Sequence, residues 1–406
     1  MSVQDRLIRY CQIDTQSDPK STTSPSTMKQ FDLAKVLLKE LQDLGVQDAE
    51  LDEYCNVYAH LESNLDTPCK TVGFIAHMDT APDYSGANVH PRIIENYDGE
   101  DITLCEGVIT KVEDFPYLKT LKGKTLMVTD GSTLLGADDK AGIACIMETV
   151  QYYMEHPEVK HGRIAIAFTP DEEVGRGTEH FNIEKFGADF AYTMDGDRVD
   201  VWSDETFNAA SAVVTCTGFS IHPGSAKDRM INALNTAIEF HNTLPEHMRP
   251  EHTCNREPFF HLCNMQGNVD TATMEYIIRA HETADFERMK KMMKTSEAAI
   301  NEAHGQEVIH VDIQDGYHNM KEILLQHPEV SSIAETALKE LGLQPVNESI
   351  RGGTDGAELT FRGLPCPNLG NGGGNFHGRY EYCVMEELEL ACKLVEKIAE
   401  LVAKGE

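Results

Sequence analysis

Four short apolar runs, each followed by acidic or histidine side chains, most constrain how this chain can fold. They cover residues 71–76, 124–129, 163–169 and 188–194. Runs of this length suit strands, and helical patterns fall between them, notably over 140–155. Strands alternating with helices predict an α/β sheet covered on both faces. The first run leads into His77-Met78-Asp79 and the second towards Gly136-Ala137-Asp138-Asp139-Lys140. The third leads into Asp171-Glu172-Glu173 and the fourth into Asp195-Gly196-Asp197. Ligands of open α/β sheets gather beyond the carboxyl ends of strands, so these groups are expected to converge at the ends of one sheet. Ahead of them, Leu33, Val36, Leu37, Leu41 and Leu44 form a helical stripe. It predicts a helix over 27–44, capped by Ser26 or Thr27 and stopped by Gly45.

The rhythm changes near residue 208. Strand patterns cover 210–217, 259–266, 273–280 and 308–313, with helical patterns over 230–243 and 285–304. The order β-α-β-β-α-β is the split βαβ unit of ferredoxin-like domains. Helical patterns return at 329–341 and 386–404, around a glycine-rich stretch. A chain of 406 residues exceeds the usual size of one hydrophobic core. The expected fold class is therefore α/β, with a central mixed, mostly parallel sheet in a larger domain (1–207 and 317–406). A ferredoxin-like α+β lid domain (208–316) is inserted into it.

The formal charge of −32 would repel nucleic acid and anionic membrane surfaces, so neither is an expected partner. No basic region with an apolar core opens the chain, and no stretch approaches the ~18 apolar residues that span a bilayer. The 11 cysteines are scattered without CxxC pairs, and Cys145, Cys216 and Cys392 lie in apolar segments. This usage points to a reducing compartment, the cytoplasm, and to no disulfide framework.

Taken singly, the polar pieces are weak. A lone His-x-Asp is more often a surface pair, and two adjacent glutamates are usually a solvated face. A fifth piece, Gly372-Gly373-Gly374-Asn375-Phe376-His377-Gly378, adds a histidine in a loop whose glycines permit close backbone approach. Burying so many carboxylates together without cations would be prohibitively costly. Two histidines and three carboxylates, one of them bridging, could hold two divalent ions about 3.5–4 Å apart. Imidazole favours zinc, while mixed N/O sites also accept cobalt or manganese. No Gly-x-Ser-x-Gly elbow suggests a serine nucleophile.

The set His77-x-Asp79, residues 136–142 and 171–175, Asp195 and His377 resembles the co-catalytic metallopeptidase family that includes glutamate carboxypeptidase and aminoacylase. Runs 80–83, 134–142, 167–175, 351–357 and 363–368 point, within that family, towards its tripeptide aminopeptidases. The resemblance implies that His77 and Asp195 hold one zinc, Glu173 and His377 the other, and that Asp138 bridges both. It makes Asp79 the residue that orients His77, and Glu172 the general base. In extended chain the two glutamates would point opposite ways, one to metal and one to water. A cis peptide between Asp138 and Asp139 is also implied. His222, in Ser220-Ile221-His222-Pro223-Gly224, matches the lid histidine that stabilises the oxyanion. Arg279 and Arg351 suit a peptide's C-terminal carboxylate, with Asn232 as a further substrate contact. The expected substrate is a small peptide. A dipeptidase or N-acyl-amino-acid hydrolase of the same superfamily is the alternative, and a homodimer through the inserted domain is a family expectation.

Overall fold

The structure, a computed structural model, describes residues 1–405. The chain divides into two compact units, the first comprising Met1–Asp204, Glu322–Glu348 and Thr354–Glu406. The second comprises Glu205–Lys321 and Ser349–Gly353, so Arg351 belongs to it rather than to the larger body in which the sequence reading had placed it.

The first unit is built on an eight-stranded mixed sheet. At its centre, strand Val72–His77 lies between Ile164–Thr169 and Phe190–Gly196, and all three run parallel. Every residue of Val72–His77 and Ile164–Thr169 is buried, as befits strands covered on both faces. Antiparallel partners join on both sides of this core, Val57–Leu61 against Ile164–Thr169 and Val201–Ser203 against Asn368–Gly370. Helix Ala137–Glu155 contributes Ile143, Ile146, Met147 and Val150 to the main core. Helices Pro328–Glu340 and Met385–Lys404 add Ile333, Ala337, Leu388 and Val395 to the same cluster.

Strand Leu126–Val128 departs from expectation. It pairs antiparallel with Tyr382–Val384 and Arg92–Ile94 in a separate four-stranded sheet. Its three-residue length and its small satellite core of Leu104, Leu121, Val128 and Tyr382 explain why sequence pattern did not separate it from the main sheet. The stripe over 27–44 forms a shorter helix, Gln30–Asp43. Ser26 does not cap it, because both its backbone N–H and its hydroxyl donate to Asp171 instead. Helix Val3–Cys11, closed at its start by a Ser2–Asp5 capping box, went unread. Its inward face carries Arg6, 1% exposed and bonded to Glu40, Glu148 and Gln151, and a charge on the buried stripe disguises the helical period.

The second unit is a four-stranded antiparallel sheet carrying two long helices, Ala233–Thr243 and Thr283–His304. Strands Asn208–Thr217, Phe259–Gly267, Thr271–Ala280 and Ile309–Asp315 follow the β-α-β-β-α-β order. With the strands numbered along the chain, the sheet order 2-3-1-4 is ferredoxin-like. Over residues 210–217 buried and exposed residues alternate, and Phe240, Phe286, Met289 and Met293 pack against the buried side.

Candidate metal centre

The three adjacent parallel strands deliver the first set of groups. His77 is the last residue of its strand and pairs with Thr169, the last residue of its neighbour. The next residues of that neighbour lead to Glu172 and Glu173, and Asp195 lies near the end of the third strand. The remaining two groups come from the small sheet. Asp138 lies at the non-helical start of Ala137–Glu155, after strand Leu126–Val128, and His377 lies in the loop before Tyr382–Val384. The expectation that four strands of one sheet supply the cluster is thus corrected: two sheets supply it.

Asp138 links the two sources. Its Oδ1 is 3.0 Å from Nε2 of His77, and its Oδ2 is 3.1 Å from Nε2 of His377. His77 Nε2 also lies 3.4 Å from Oδ1 of Asp195, and His377 Nε2 lies 3.0 Å from Oε2 of Glu173. The other oxygen of Glu173 is buried without a partner. Ligand atoms held tetrahedrally at zinc distances of about 2.0–2.1 Å are about 3.3 Å apart. The observed spacings of 3.0–3.4 Å fit such edges on both sides of Asp138.

Charge supports the same reading. Burial, with the charge of Asp138, pushes Glu173 up to about 8, and burial pushes Asp195 up to about 6. Burial and the charge of Asp195 hold Glu172 well above its ordinary value. Hydrogen bonds to Asp138 and Glu173 raise His377 to about 11. Burial would lower the pKa of His77, but Asp195, Asp138 and Asp79 carry it well above the ordinary range. Asp138 is held below the usual carboxylate range: burial would raise it, and the two histidines outweigh that. A buried site with this excess of acceptors calls for cations.

Glu172 and Glu173 do not occupy extended chain. They form the short 3-10 turn Glu172–Val174, entered through Asp171 at φ 55°. Their side chains still diverge. Glu172 groups with His77 and Asp195, whereas Glu173 groups with His77 and Asp138. Two fully buried carboxylates hold this turn. Asp79 accepts the backbone N–H of Glu172 at 3.0 Å and of Glu173 at 3.2 Å. Asp171 accepts from Ser26 and from Nε2 of Gln30, the latter at 2.7 Å. The bond between Asp138 and Asp139 is cis. Asp139 turns inward, accepting from the backbone of His77 and Gly142 and from Nδ2 of Asn371.

Glu381 and Asn371 escaped sequence reading, and Asp139 and Asp171 stood in its motifs with no supporting role assigned to their side chains. Asp139 and Asp171 each stand beside an acid of the cluster, and composition does not tell which of two neighbours turns inward. Nothing in the local pattern marks Glu381 or Asn371.

The other four sequence candidates belong to the second unit. Nδ1 of His222 accepts the N–H of Gly224 at 3.1 Å. Asn232 caps helix Ala233–Thr243, its side chain accepting the N–H of Leu234. Arg279 donates through Nη1 to the main chain of Ala210 and Ile278 and lies over the ring of Tyr317. Arg351 lies over both Phe207 and Phe259, and its guanidinium donates to Asn255, Glu257 and Thr253.

Comparison with known proteins adds an independent line. Residues 128–401 match the model of peptidase family M20/M25/M40. The chain is 49% identical over 403 residues to a peptidase T of Clostridium botulinum (strain Loch Maree / Type A3), covering 99% of both chains. The fold resembles the crystal structure of aminopeptidase PepT from Bacillus cereus ATCC 10987, with TM-score 0.78, 22% identity, and 99% and 98% of the two chains covered. It also resembles a dinuclear metal binding peptidase of Bacillus subtilis, with TM-score 0.65, 14% identity, and coverage of 99% and 98%.

Proposed function

This chain belongs to peptidase family M20/M25/M40, and on that premise we propose that it is a two-metal aminopeptidase releasing the N-terminal residue of tripeptides. The observation that carries this reading is Asp138, which turns one carboxylate oxygen to each of two histidines. In it, His77 and Asp195 hold one ion, Glu173 and His377 the other, and Asp138 both. Zinc suits this donor set of imidazole and carboxylate, with cobalt and manganese as substitutes. Such ions, when bound, acidify water and polarise the scissile carbonyl.

The chain's own residues supply the rest. Glu172 takes the proton of the attacking water and passes it to the leaving amine. Its place beside His77 and Asp195, close to the metal position yet outside the proposed ligand set, suits that task. Asp79 holds Glu172 and Glu173 by their backbone and faces the ring of His77. His222 donates to the developing oxyanion. The N–H of Gly224 occupies its Nδ1, which leaves Nε2–H as the donor. Arg279, which hydrogen-bonds through Nη1 alone, grips the peptide's C-terminal carboxylate. Arg351 and Asn232 are weaker candidates, because Nη1 and Nη2 of Arg351 and Oδ1 of Asn232 already serve local structure.

All eleven cysteines are free, which agrees with a reducing compartment, the cytoplasm. No helix among the described residues is long and apolar enough to cross a membrane. A homodimer through the second unit belongs to the same reading.

One experiment tests the function directly. A tripeptide, a dipeptide, a tetrapeptide and an N-acetyl amino acid are assayed side by side, with metal content measured on the same preparation. The tripeptide with a free N-terminus should turn over fastest, on protein carrying two zinc ions per subunit. Turnover of the acetylated substrate alone would refute the aminopeptidase reading.

A further inference from the structure

Glu381 is 1% exposed, and its carboxylate is spent on the backbone of the loop that presents Asp138. Oε2 accepts the N–H of Leu135 at 2.7 Å and of Gly136 at 2.8 Å, and Oε1 accepts the N–H of Asp138 itself at 3.0 Å. Gly136 has φ 83°, a left-handed conformation open to glycine, and this turn points successive N–H groups to one side. The result is an anion-binding nest filled by a side chain of the same chain.

The other end of Glu381 explains why an acid belongs there. Glu381 closes the loop that carries His377, four residues earlier. Its own N–H donates to the carbonyl of Gly378 at 3.2 Å, and Nδ2 of Asn375 spans the loop to the carbonyl of Tyr380 at 3.2 Å. The two loops therefore meet twice. They meet once through ligand atoms, His377 Nε2 on Asp138 Oδ2 at 3.1 Å, and once through Glu381 on the backbone beneath them.

We propose that Glu381 is a positioning residue for the metal position shared by Asp138 and His377: its carboxylate locks the two ligand loops in register. The inference rests on reading Asp138 and His377 as ligands. Glutamine in its place can accept the paired bonds from Leu135 and Gly136 through its single oxygen. Its NH2 group then faces the N–H of Asp138, two donors opposed, and the loop is free to shift. Aspartate keeps the charge but is one methylene too short to hold all three N–H groups.

The test compares the holoenzyme with E381Q and E381D. Zinc affinity is read by competition with a chelator, thermal melting with and without zinc, and kcat and KM on a tripeptide. The expected result for E381Q is one of two zinc ions bound about 10–100-fold more weakly, the usual effect of removing an outer-shell partner. The other ion, which shares only Asp138 with the disturbed loops, should lose distinctly less affinity than the one held by both Asp138 and His377. kcat should fall by a similar factor with KM little changed, and excess zinc should restore it. E381D should lie between the two, and it carries the test if E381Q does not fold. Unchanged affinity for both ions, or an equal loss at both sites with no rescue by zinc, would overturn the proposal. Fewer than two zinc ions on the parent enzyme would instead refute the two-metal reading, whatever Glu381 does.

Discussion

Nδ1 of His77 lies 3.3 Å from Oδ1 of Asp79, and both side chains are almost closed to solvent. The same ring nitrogen is 3.1 Å from the main-chain oxygen of Asp79, so one residue offers two acceptors that leave Nε2 free to face Asp138. The Asp79 carboxylate also carries the backbone of Glu172 and Glu173. A single buried group thus orients a candidate ligand and the candidate base together. Asp79→Asn should therefore cut kcat and metal affinity together, each about 10–100-fold. Kinetics and chelator competition on one preparation check this. Loss of activity with metal affinity intact would show that Asp79 does not orient His77.

Glu172 and Glu173 share a turn but face different groups, and their variants should fail differently. Glu172→Gln should lose turnover by at least about 10²–10⁴-fold, the range ascribed to a general base, while both ions stay bound. Glu173→Ala should lose metal at one site. Metal analysis of the two proteins beside wild type decides the matter, and full occupancy in the alanine variant would contradict the assignment.

Binding of metal should release protons. With only the protein's own charges in balance, burial holds Glu173 at about 8, and hydrogen bonds to Asp138 and Glu173 hold His377 at about 11. Both therefore carry protons at pH 7, and a cation must displace them to use the same atoms. Apparent zinc affinity should rise with pH between about 6 and 8. Calorimetry in buffers of different ionisation enthalpy reads the number of protons released per ion. A pH-independent affinity would contradict the proposed ligand set.

Much of this was legible because strand ends in an α/β sheet are also where polar groups are affordable. His77, Asp195 and the Glu172–Glu173 pair stood out as abrupt polar endings to apolar runs, and three of the four strands occupy the sheet as read. Asp138 was read as part of the cluster but placed on the wrong sheet, whereas His377 was read in the glycine-rich loop where it lies, without the strand that supports that loop. The pairing of Leu126–Val128 with Tyr382–Val384 joins residues more than 250 positions apart, and no local pattern encodes that. The Glu172–Val174 turn was misread for a related reason. Its backbone is set by Asp79 and Asp171, whose carboxylates arrive from other segments or are themselves fixed by Ser26 and Gln30. Roles that depend on a side chain reaching a distant backbone, as Glu381 does, leave no periodicity to find.

The second unit offers a test that is independent of the metal site. Glu205 is 2% exposed and accepts from Asn319 at 3.2 Å, from Lys321 at 3.0 Å and from Arg256. Burial alone would raise its pKa, but the bonds from Arg256, Lys321 and Asn319 outweigh that and hold it below the ordinary carboxylate value. A folded-state pKa below the unfolded one contributes stability that is present above the unfolded value and lost as pH falls through the folded value. Arg256 and Lys321 are themselves about two-fifths exposed, so water screens them and the effect should sit near the lower end for charged hydrogen bonds, about 1–2 kcal/mol at neutral pH. Glu205→Gln should accordingly lower the melting temperature at pH 7, and the gap to wild type should close as the pH is taken below about 4. Melting curves of both proteins across that range check the sign. A gap that widened in acid would mean that Glu205 is buried neutral, and its partners would then have to be reassigned.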